Sequence, residues 1–342
     1  MADIILPQAV VLELTYRCNH RCVFCSCPWY VPCSIYPKGK ELGLEQWKKA
    51  IDRLYNLGVK HFSISGGECL LKDCMPQIVE YVHEQALLKN IDSPIVLISN
   101  GLAITEEHLL LFKRCNVHLS MSLPGYETFA KHTGVNNANG VLHWFERAKA
   151  IGLNTTVNVT VTHKNYYELY QTIALGLIHG ASSVLLNRFL PGGRGLYHVK
   201  ELILGKAQLN GMLDTAEDIL RTSQRYGTVG TEIARCEVEH PEKYKRLSIG
   251  YRCSAGKEFF VVDPSGLIRT CNHSPHVVGN VFSTPMISDE AYWLSFQESD
   301  YHPKACLSCP LAGNCDGGCR EVAHILNGAI DAYDTSTMPN HI

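Results

Sequence analysis

Three cysteines near the start of the chain are spaced for metal chemistry. Cys18, Cys22 and Cys25 are separated by three and then two residues, and they follow a predicted strand. Thiolates at this spacing can hold three irons of a four-iron cluster and leave the fourth iron without a protein ligand. An open metal position is where a substrate or cofactor binds, as in catalytic zinc sites. The alternative is a structural zinc site whose fourth ligand is one of His20, Cys27 and Cys33.

A second set of cysteines crowds the last quarter of the chain. Its members are Cys253, Cys271, Cys306, Cys309, Cys315 and Cys319. A Pro-Ser-Gly turn at 264–266 joins two predicted strands, and the resulting hairpin brings Cys253 and Cys271 together. Glycines lie between the last four cysteines, where they allow the backbone to wrap closely around a metal. We therefore expect a separate metal-binding module here, with a zinc knuckle as the alternative to iron–sulfur.

The composition narrows the class of protein. Fifteen unevenly spaced cysteines in 342 residues indicate metal or redox chemistry in a reducing compartment rather than a disulfide framework. The 31 basic residues nearly balance 33 acidic ones, so no basic surface typical of nucleic-acid binding is expected. No signal peptide and no apolar run of about 18 residues is apparent. A soluble, cytoplasmic protein that binds neither nucleic acid nor membrane is expected.

Strand and helix patterns alternate along the first part of the chain, which is typical of a parallel sheet built from βα units. The predicted strands are 10–14, 62–65, 95–98, 117–121, 156–161 and 184–186, followed by the hairpin strands 259–262 and 267–270. The predicted helices are 44–57, 74–87, 105–114, 140–151, 166–179 and 207–225. In the first helix, Leu44, Trp47, Ile51, Leu54 and Leu57 would line one face. Six such units predict an α/β protein with a partial (β/α)6 TIM-like barrel.

Polar or metal-binding residues follow each predicted barrel strand, and loops at the carboxyl ends of barrel strands meet at one site. After the cysteine loop come Gly66-Gly67-Glu68, Asn100, Ser122, Asn158 and Asn187. Together with the aromatic Phe24 before Cys25, the cysteine motif and the glycine-glycine-glutamate triplet resemble the radical S-adenosylmethionine (SAM) superfamily over residues 9–190. In that family the unligated iron chelates SAM, and an electron from the cluster cleaves it to a 5′-deoxyadenosyl radical that abstracts hydrogen from the substrate.

The resemblance also implies roles for individual residues. Gly66 and Gly67 would let the backbone approach the methionine ammonium, with Glu68 nearby. Further cofactor contacts are expected from the strand-end residues Asn100, Ser122, Asn158 and Asn187, and from Lys131, where relatives often have an arginine. The remaining cysteines of the barrel, Cys69, Cys74 and Cys115, are expected to be small buried side chains.

The C-terminal cysteine pattern resembles the SPASM extension, which holds auxiliary iron–sulfur clusters. By this resemblance, Cys253, Cys271 and Cys319 group together, and Cys306, Cys309 and Cys315 form the other set. The usual final cysteine is missing, so one or two auxiliary clusters remain possible. Substitute ligands would come from Asp316, His324, Asp334 and His341. The expected domains are the barrel (1–195), a helical or bridging segment (196–250), the SPASM-like module (251–330) and a tail (331–342).

Three functions remain open from the sequence. The first is a radical SAM enzyme that crosslinks, oxidises or epimerises a ribosomally made peptide. The second acts on a small molecule such as a tetrapyrrole, sugar or nucleoside. The third, a non-catalytic iron–sulfur or zinc protein, is disfavoured by the glycine-glycine-glutamate triplet. An external reductant of flavodoxin or ferredoxin type is expected. Because the first strand begins by about residue 10, a peptide substrate would need a separate leader-binding protein.

One histidine and three arginines are candidates for proton transfer and for substrate binding. Sulfatase-type maturases carry an aspartate base just after the cysteine equivalent to Cys271, and this chain has Asn272-His273 instead. His273 is the candidate catalytic residue, because a histidine can move a proton near neutral pH. Three arginines are candidates for binding a substrate carboxylate or phosphate. They are Arg188, Arg194 and Arg235.

Overall fold

The computed structural model describes residues 4–31 and 34–334. Its described strands form a single sheet. These strands are β1 Ala9–Glu13, β2 His61–Ser65, β3 Ile95–Ser99, β4 Val117–Ser122, β5 Thr155–Val161, β6 Ser183–Arg188, β7 Gly227–Val229, β8 Leu247–Ile249, β9 Phe259–Val262, β10 Leu267–Arg269 and β11 Gly279–Asn280. Cys33, His341 and most of the predicted tail lie outside the described residues.

Strands β1 to β8 follow one another in parallel, as a wound α/β sheet requires. The predicted partial barrel is confirmed, and each of its six strands lies within two residues of the predicted bounds. The segment 196–250 departs from its predicted helical or bridging character, because it also adds β7 and β8 to the barrel sheet. Short strands such as these carry too few residues to show a period of two.

The helices cover the outside of the sheet. They are α1 Leu44–Asn56, α2 Met75–Leu88, α3 Glu106–Arg114, α4 Phe129–Thr133, α5 Ala138–Ala150, α6 Leu169–His179, α7 Val199–Leu202, α8 Lys206–Ser223, α9 Glu290–Gln297 and α10 Arg320–Asn327. Some begin at side-chain caps: Thr105 accepts a hydrogen bond from the His108 amide at 3.3 Å, which satisfies one of the free N–H groups of α3. Among the described residues, none of the helices combines the length and apolar character needed to span a membrane.

The apolar face of α1 shows how the core forms. Trp47, Ile51 and Leu54 are fully buried, and each such side chain contributes about 1.5–3 kcal/mol by leaving water. Leu57 was predicted on the same face, but it follows the last helical residue and is 46% exposed. The helix ends there because Gly58 adopts a positive φ of 94°, which turns the chain away.

The C-terminal module joins the barrel through its hairpin. Strand β9 pairs in parallel with β1, with Val10 opposite Phe260, and β10 pairs antiparallel with β9. Across this junction Arg269 on β10 donates to the carboxylate of Glu13 on β1, and both side chains are almost completely buried. The barrel sheet therefore continues into the module, and Asn272, which follows β10, donates from its side chain to the Glu13 carboxylate at 3.1 Å.

Candidate active site

The loop after β1 carries the first cysteine motif and is held by backbone hydrogen bonds to the end of α4. The amide of Arg21 donates to the carbonyl of Thr133 at 2.8 Å, and the amide of Val23 donates to that of His132 at 2.9 Å. Cys18, Cys22 and Cys25 are all free thiols of intermediate exposure. The loop thus presents the three thiols from a fixed backbone.

The three thiols are close enough to influence one another's ionisation. Burial raises the pKa of Cys22, and the charges of Cys25 and Cys18 raise it further. Burial also raises the pKa of Cys18. A side-chain hydrogen bond with Cys27 lowers the pKa of Cys25 to about 7, and Arg194 acts in the same direction. Bringing three such thiolates together is unfavourable without a nearby positive charge, which a bound metal supplies.

Gly66 and Gly67 pack directly against the cysteine loop. The Gly67 amide donates to the carbonyl of Thr15 at 2.8 Å. A Cβ on Gly67 would lie 2.1 Å from the carbonyl oxygen of Arg17, and one on Gly66 would lie 2.8 Å from that of Thr15. Because both clashes involve backbone atoms, only glycine fits at these positions. The glycines therefore set the distance between the loops after β1 and β2.

Glu68 links these loops to the end of β3. Its carboxylate accepts hydrogen bonds from the Asn100 amide at 2.7 Å and the Ser99 hydroxyl at 2.9 Å. The Asn100 side chain in turn donates to Asn19 at 2.7 Å. Glu68 is 1% exposed, and burial raises its pKa. In this conformation Glu68 positions the neighbouring loops, and a role toward a cofactor remains a prediction.

A cavity of about 400 Å³ opens at this end of the barrel. Nearly all of the predicted barrel-site residues line it: Cys18, Cys22, Cys25, Gly66, Gly67, Glu68, Asn100, Ser122, Asn158, Asn187 and His273. The side-chain amide of Asn187 donates to the side-chain oxygen of Asn158 at 2.9 Å, and this hydrogen bond fixes both side chains on the cavity wall. Lys131 was predicted to belong to this site, but it is exposed on α4 and does not line the cavity.

The C-terminal cysteines lie around two further cavities. Cys253, Cys271 and Cys319 line the proximal cavity, which also reaches His273, Glu232 and Glu321. Cys306, Cys309 and Cys315 line the distal cavity. The cysteines line these two cavities in the two sets that the resemblance predicted, and which of them bind iron remains a prediction. His273 borders both the barrel cavity and the proximal one, and burial lowers its pKa to about 4.

The predicted substitute ligands hold other positions. The carboxylate of Asp316 accepts hydrogen bonds from the Cys253 amide and the Tyr301 hydroxyl, each at 2.8 Å. The imidazole of His324 lies 3.2 Å from the Tyr292 hydroxyl. The carboxylate of Asp334 lines the distal cavity but accepts from Arg188 and from the Cys319 amide.

One cysteine on the distal cavity was not predicted as a ligand. Cys236, from the bridging segment, lines the distal cavity with Cys306, Cys309 and Cys315. The sequence offers one signal for a separate function of Cys236: it is the single cysteine between Cys115 and Cys253. Cys236 lies 70 residues before Cys306, so no short spacing motif links the two cysteines.

The three arginines are engaged by the protein itself. Arg188 is 2% exposed and pairs with Asp334. The guanidinium of Arg194 lies 3.9 Å from the centre of the Tyr30 ring, beside the cysteine loop. Arg235 lies 5.2 Å over the Tyr251 ring and borders the distal cavity. Each arginine therefore has a structural partner, and binding of substrate by them remains a prediction.

Comparison with known proteins identifies the class of this site. Residues 12–175 match the family model of the Radical SAM superfamily. Two relatives are the PqqA peptide cyclases of Bradyrhizobium diazoefficiens, 25% identical over 96% of this chain and 85% of the relative, and of Rhodopseudomonas palustris, 26% identical over 96% and 86%.

Solved structures share the fold. Streptococcus suis SuiB bound to S-adenosylmethionine superposes with a TM-score of 0.73 at 15% identity, covering 98% of this chain and 78% of that one. The enzyme anSMEcpe, with bound AdoMet and a Kp18Cys peptide, superposes with a TM-score of 0.69 at 16% identity, covering 92% and 89%. The predicted resemblance is confirmed: residues 12–175 form the radical SAM domain of an enzyme.

Proposed function

We propose that Cys18, Cys22 and Cys25 hold the four-iron cluster and that the barrel cavity beside them holds SAM. The donor set fits, because three thiols face one cavity and leave one iron open for a cofactor. When bound, the cluster supplies the electron that cleaves SAM reductively to methionine and a 5′-deoxyadenosyl radical. The residues of the chain bind, orient and shield these reactants.

The protein groups that would hold SAM come from the ends of successive strands. Gly66 and Gly67 line the cavity, and because they lack side chains their backbone can pack against the cysteine loop. The amide pair of Asn158 and Asn187 and the hydroxyl of Ser122 offer hydrogen bonds from the wall of the cavity. These neutral donors and acceptors suit ribose and carboxylate groups. Lys131 takes no part in this arrangement.

We infer that the substrate is a ribosomally made peptide, in which the enzyme forms a crosslink, an oxidised residue or an epimer. The observation that carries this proposal is the similarity to PqqA peptide cyclases over 96% of the chain, so that it includes the C-terminal module as well as the barrel. SuiB bound to its precursor peptide SuiA has the same fold, with a TM-score of 0.74. The barrel cavity opens toward His273 and Asn272 of the module, so both parts of the chain face the substrate.

The two C-terminal cysteine sets are proposed to bind auxiliary iron–sulfur clusters. Their thiols line separate cavities, and burial raises the pKa of Cys253 and Cys271. Buried thiols of this kind become ligands only when a metal replaces the proton. An external one-electron reductant of flavodoxin or ferredoxin type and a separate leader-binding protein complete the proposed partners.

The test of the proposed substrate uses synthetic peptides encoded beside the gene in its own genome. Each peptide is incubated anaerobically in deuterated water with reconstituted enzyme, dithionite and SAM, and then analysed by mass spectrometry. A crosslink or desaturation removes two hydrogens, and an epimerisation incorporates deuterium at one α-carbon. We expect one of these changes in a peptide, and none with the Cys22→Ala enzyme. Unchanged peptides, with a small metabolite of the organism modified instead, would contradict the proposal.

A further inference from the structure

The distal cavity holds four cysteines, although the sequence pattern supplies only three of them. Cys306, Cys309 and Cys315 come from the C-terminal module, and Cys236 comes from the bridging segment after β7. We propose that Cys236 is the fourth ligand of a distal cluster bound by Cys306, Cys309 and Cys315. This inference rests on the proposed auxiliary clusters and assigns them a ligand that the sequence pattern lacks.

The backbone around Cys236 is joined directly to this cysteine set. The amide of Arg235, the residue before Cys236, donates to the sulfur of Cys315 at 3.3 Å. The amide of Gly317 donates to the same sulfur at 3.3 Å. Backbone N–H groups directed at sulfur stabilise the charge of a metal-bound thiolate. The bridging segment and the module therefore already converge on one sulfur of the proposed cluster.

The backbone at Gly317 packs closely between two of the proposed ligands, Cys306 and Cys315. A Cβ built on Gly317 would lie 3.4 Å from the sulfur of Cys306, and Gly317 has a positive φ of 75°. The chain thus folds closely around Cys306 and Cys315, as a loop that wraps a metal must. Cys236 lines the same cavity as Cys306 and Cys315, so all three thiols border one space.

The position of Cys236 is fixed by helix α8. Lys206 donates to the carbonyl of Cys236 at 3.1 Å. The side-chain amide of Asn210 donates to the backbone carbonyl of Glu237 at 2.8 Å. The side-chain oxygen of Asn210 accepts from the backbone amide of Glu239 at 2.7 Å. Asn210 is buried at 6% exposure. The turn that follows Cys236 is therefore held to α8 by one buried side-chain amide, which gives the proposed ligand a rigid support.

Other groups at the distal cavity are less suited to complete the cluster. Asp334 lies there, but its carboxylate is occupied by Arg188 and the Cys319 amide. The guanidinium of Arg235 is cationic and carries no lone pair for iron. Cys236 is a free and exposed thiol, and a fourth thiolate gives the same donor chemistry as the other three. A cluster so ligated would be closed, which suits electron transfer or structure rather than substrate binding.

The first test is an alkylation footprint on the wild-type protein. Cluster-free and anaerobically reconstituted samples are treated with iodoacetamide, and each cysteine is quantified by peptide mass spectrometry. We expect reconstitution to protect Cys236 to the same extent as Cys306, Cys309 and Cys315. Cys74, a half-buried thiol outside all three cysteine sets, is the control and should react equally in both samples. Protection of the other three with Cys236 still reactive would overturn the inference and leave the auxiliary clusters standing. Failure to protect any of the four would overturn both.

The second test uses the spectrum of the cluster. In a C18A/C22A/C25A background, which lacks the barrel cluster, Cys236→Ala is compared with Cys74→Ala after mild oxidation. A four-iron cluster held by three cysteines loses its open iron readily and gives the EPR signal of a three-iron cluster. We expect Cys236→Ala to add such a signal to that of its background, and Cys74→Ala to leave the background unchanged. Identical spectra for the two variants would contradict the assignment.

Discussion

The guanidinium of Arg188 donates to the carboxylate of Asp334 over 2.5 Å, with the two side chains only 2% and 3% exposed. Arg188 ends β6, and it also donates to the backbone carbonyl of Glu232 at 2.8 Å. Asp334 accepts in addition from the amide of Cys319 at 2.8 Å. This buried pair therefore joins the barrel, the bridging segment and the C-terminal module, and it fixes the backbone of one proposed cluster ligand.

Loss of Asp334 should strongly destabilise the fold. The Asp334→Ala variant removes the carboxylate that pairs with the buried Arg188, and breaking a buried pair costs about 3–5 kcal/mol. The free energy of unfolding is measured by urea denaturation of the cluster-free protein. Arg221→Ala is the control, because its pair with Asp218 is exposed at 73% and 55% and such pairs contribute about 0–1 kcal/mol. Equal losses for the two variants would contradict the role given to the buried pair.

Gly67→Ala should displace the cysteine loop. The added Cβ would lie 2.1 Å from the backbone oxygen of Arg17, and a backbone atom cannot move aside as a flexible side chain can. We expect the reconstituted variant to lose iron from the barrel site, measured as iron per chain in a background without the auxiliary cysteines. Gly205→Ala is the matched control, since nothing lies within 4 Å of its built Cβ. Full iron content in Gly67→Ala would show that the loops can separate without loss of the site.

Arg194 should tune the barrel cluster through its charge. It lies 3.9 Å from the centre of the Tyr30 ring, and its charge opposes the rise that burial causes in the pKa of Cys18 and Cys22. A positive charge favours the reduced, more negative cluster, so Arg194→Gln should make the reduction potential more negative. Arg194→Lys keeps the charge and should change the potential less. Potentials are measured by EPR of redox-poised samples, and a potential that Arg194→Gln leaves unchanged or raises would contradict this role.

The free energy of unfolding should decrease in mild acid because of the buried His132. This side chain is 1% exposed, and the Nε2 atom of its imidazole forms a hydrogen bond of 2.9 Å with the Thr162 hydroxyl. Burial lowers its pKa, so the folded state keeps it neutral where the unfolded chain takes up a proton. The free energy of unfolding should therefore decrease as the pH falls through the ordinary histidine pKa of about 6.5. His132→Gln should show a smaller decrease between about pH 7.5 and about pH 5.5, on either side of that pKa. An unchanged pH dependence in the variant would contradict a neutral buried His132.

The barrel was largely predictable from the sequence because its signals are local. Six strands and their helices follow from apolar runs and helical period, and the strand-end residues then meet at one cavity because parallel strands share an edge. Lys131 was predicted from a resemblance in position only, and its cofactor role stays a prediction because its side chain does not line the cavity. Nothing in the residues around it showed that α4 turns this side chain to solvent.

The arrangement of the C-terminal half was harder to predict because it depends on contacts between distant residues. Cys236 and Cys306 are 70 positions apart, and no period or spacing links them. The same holds for Arg188 and Asp334, which pair with each other across 146 residues. Short strands such as β7 and β8 form because the sheet offers an edge, and their own sequences carry little signal.

The most direct test of the central claim is the reductive cleavage of SAM. Anaerobically reconstituted protein is mixed with dithionite and SAM, and 5′-deoxyadenosine is followed by mass spectrometry beside Cys22→Ala and Cys74→Ala. Cys22 lines the barrel cavity with the other two motif cysteines, whereas Cys74 lies outside every cysteine set. We predict deoxyadenosine from the wild type and Cys74→Ala and none from Cys22→Ala. Equal formation with and without Cys22, or none from cluster-loaded wild type supplied with candidate peptides, would contradict the account.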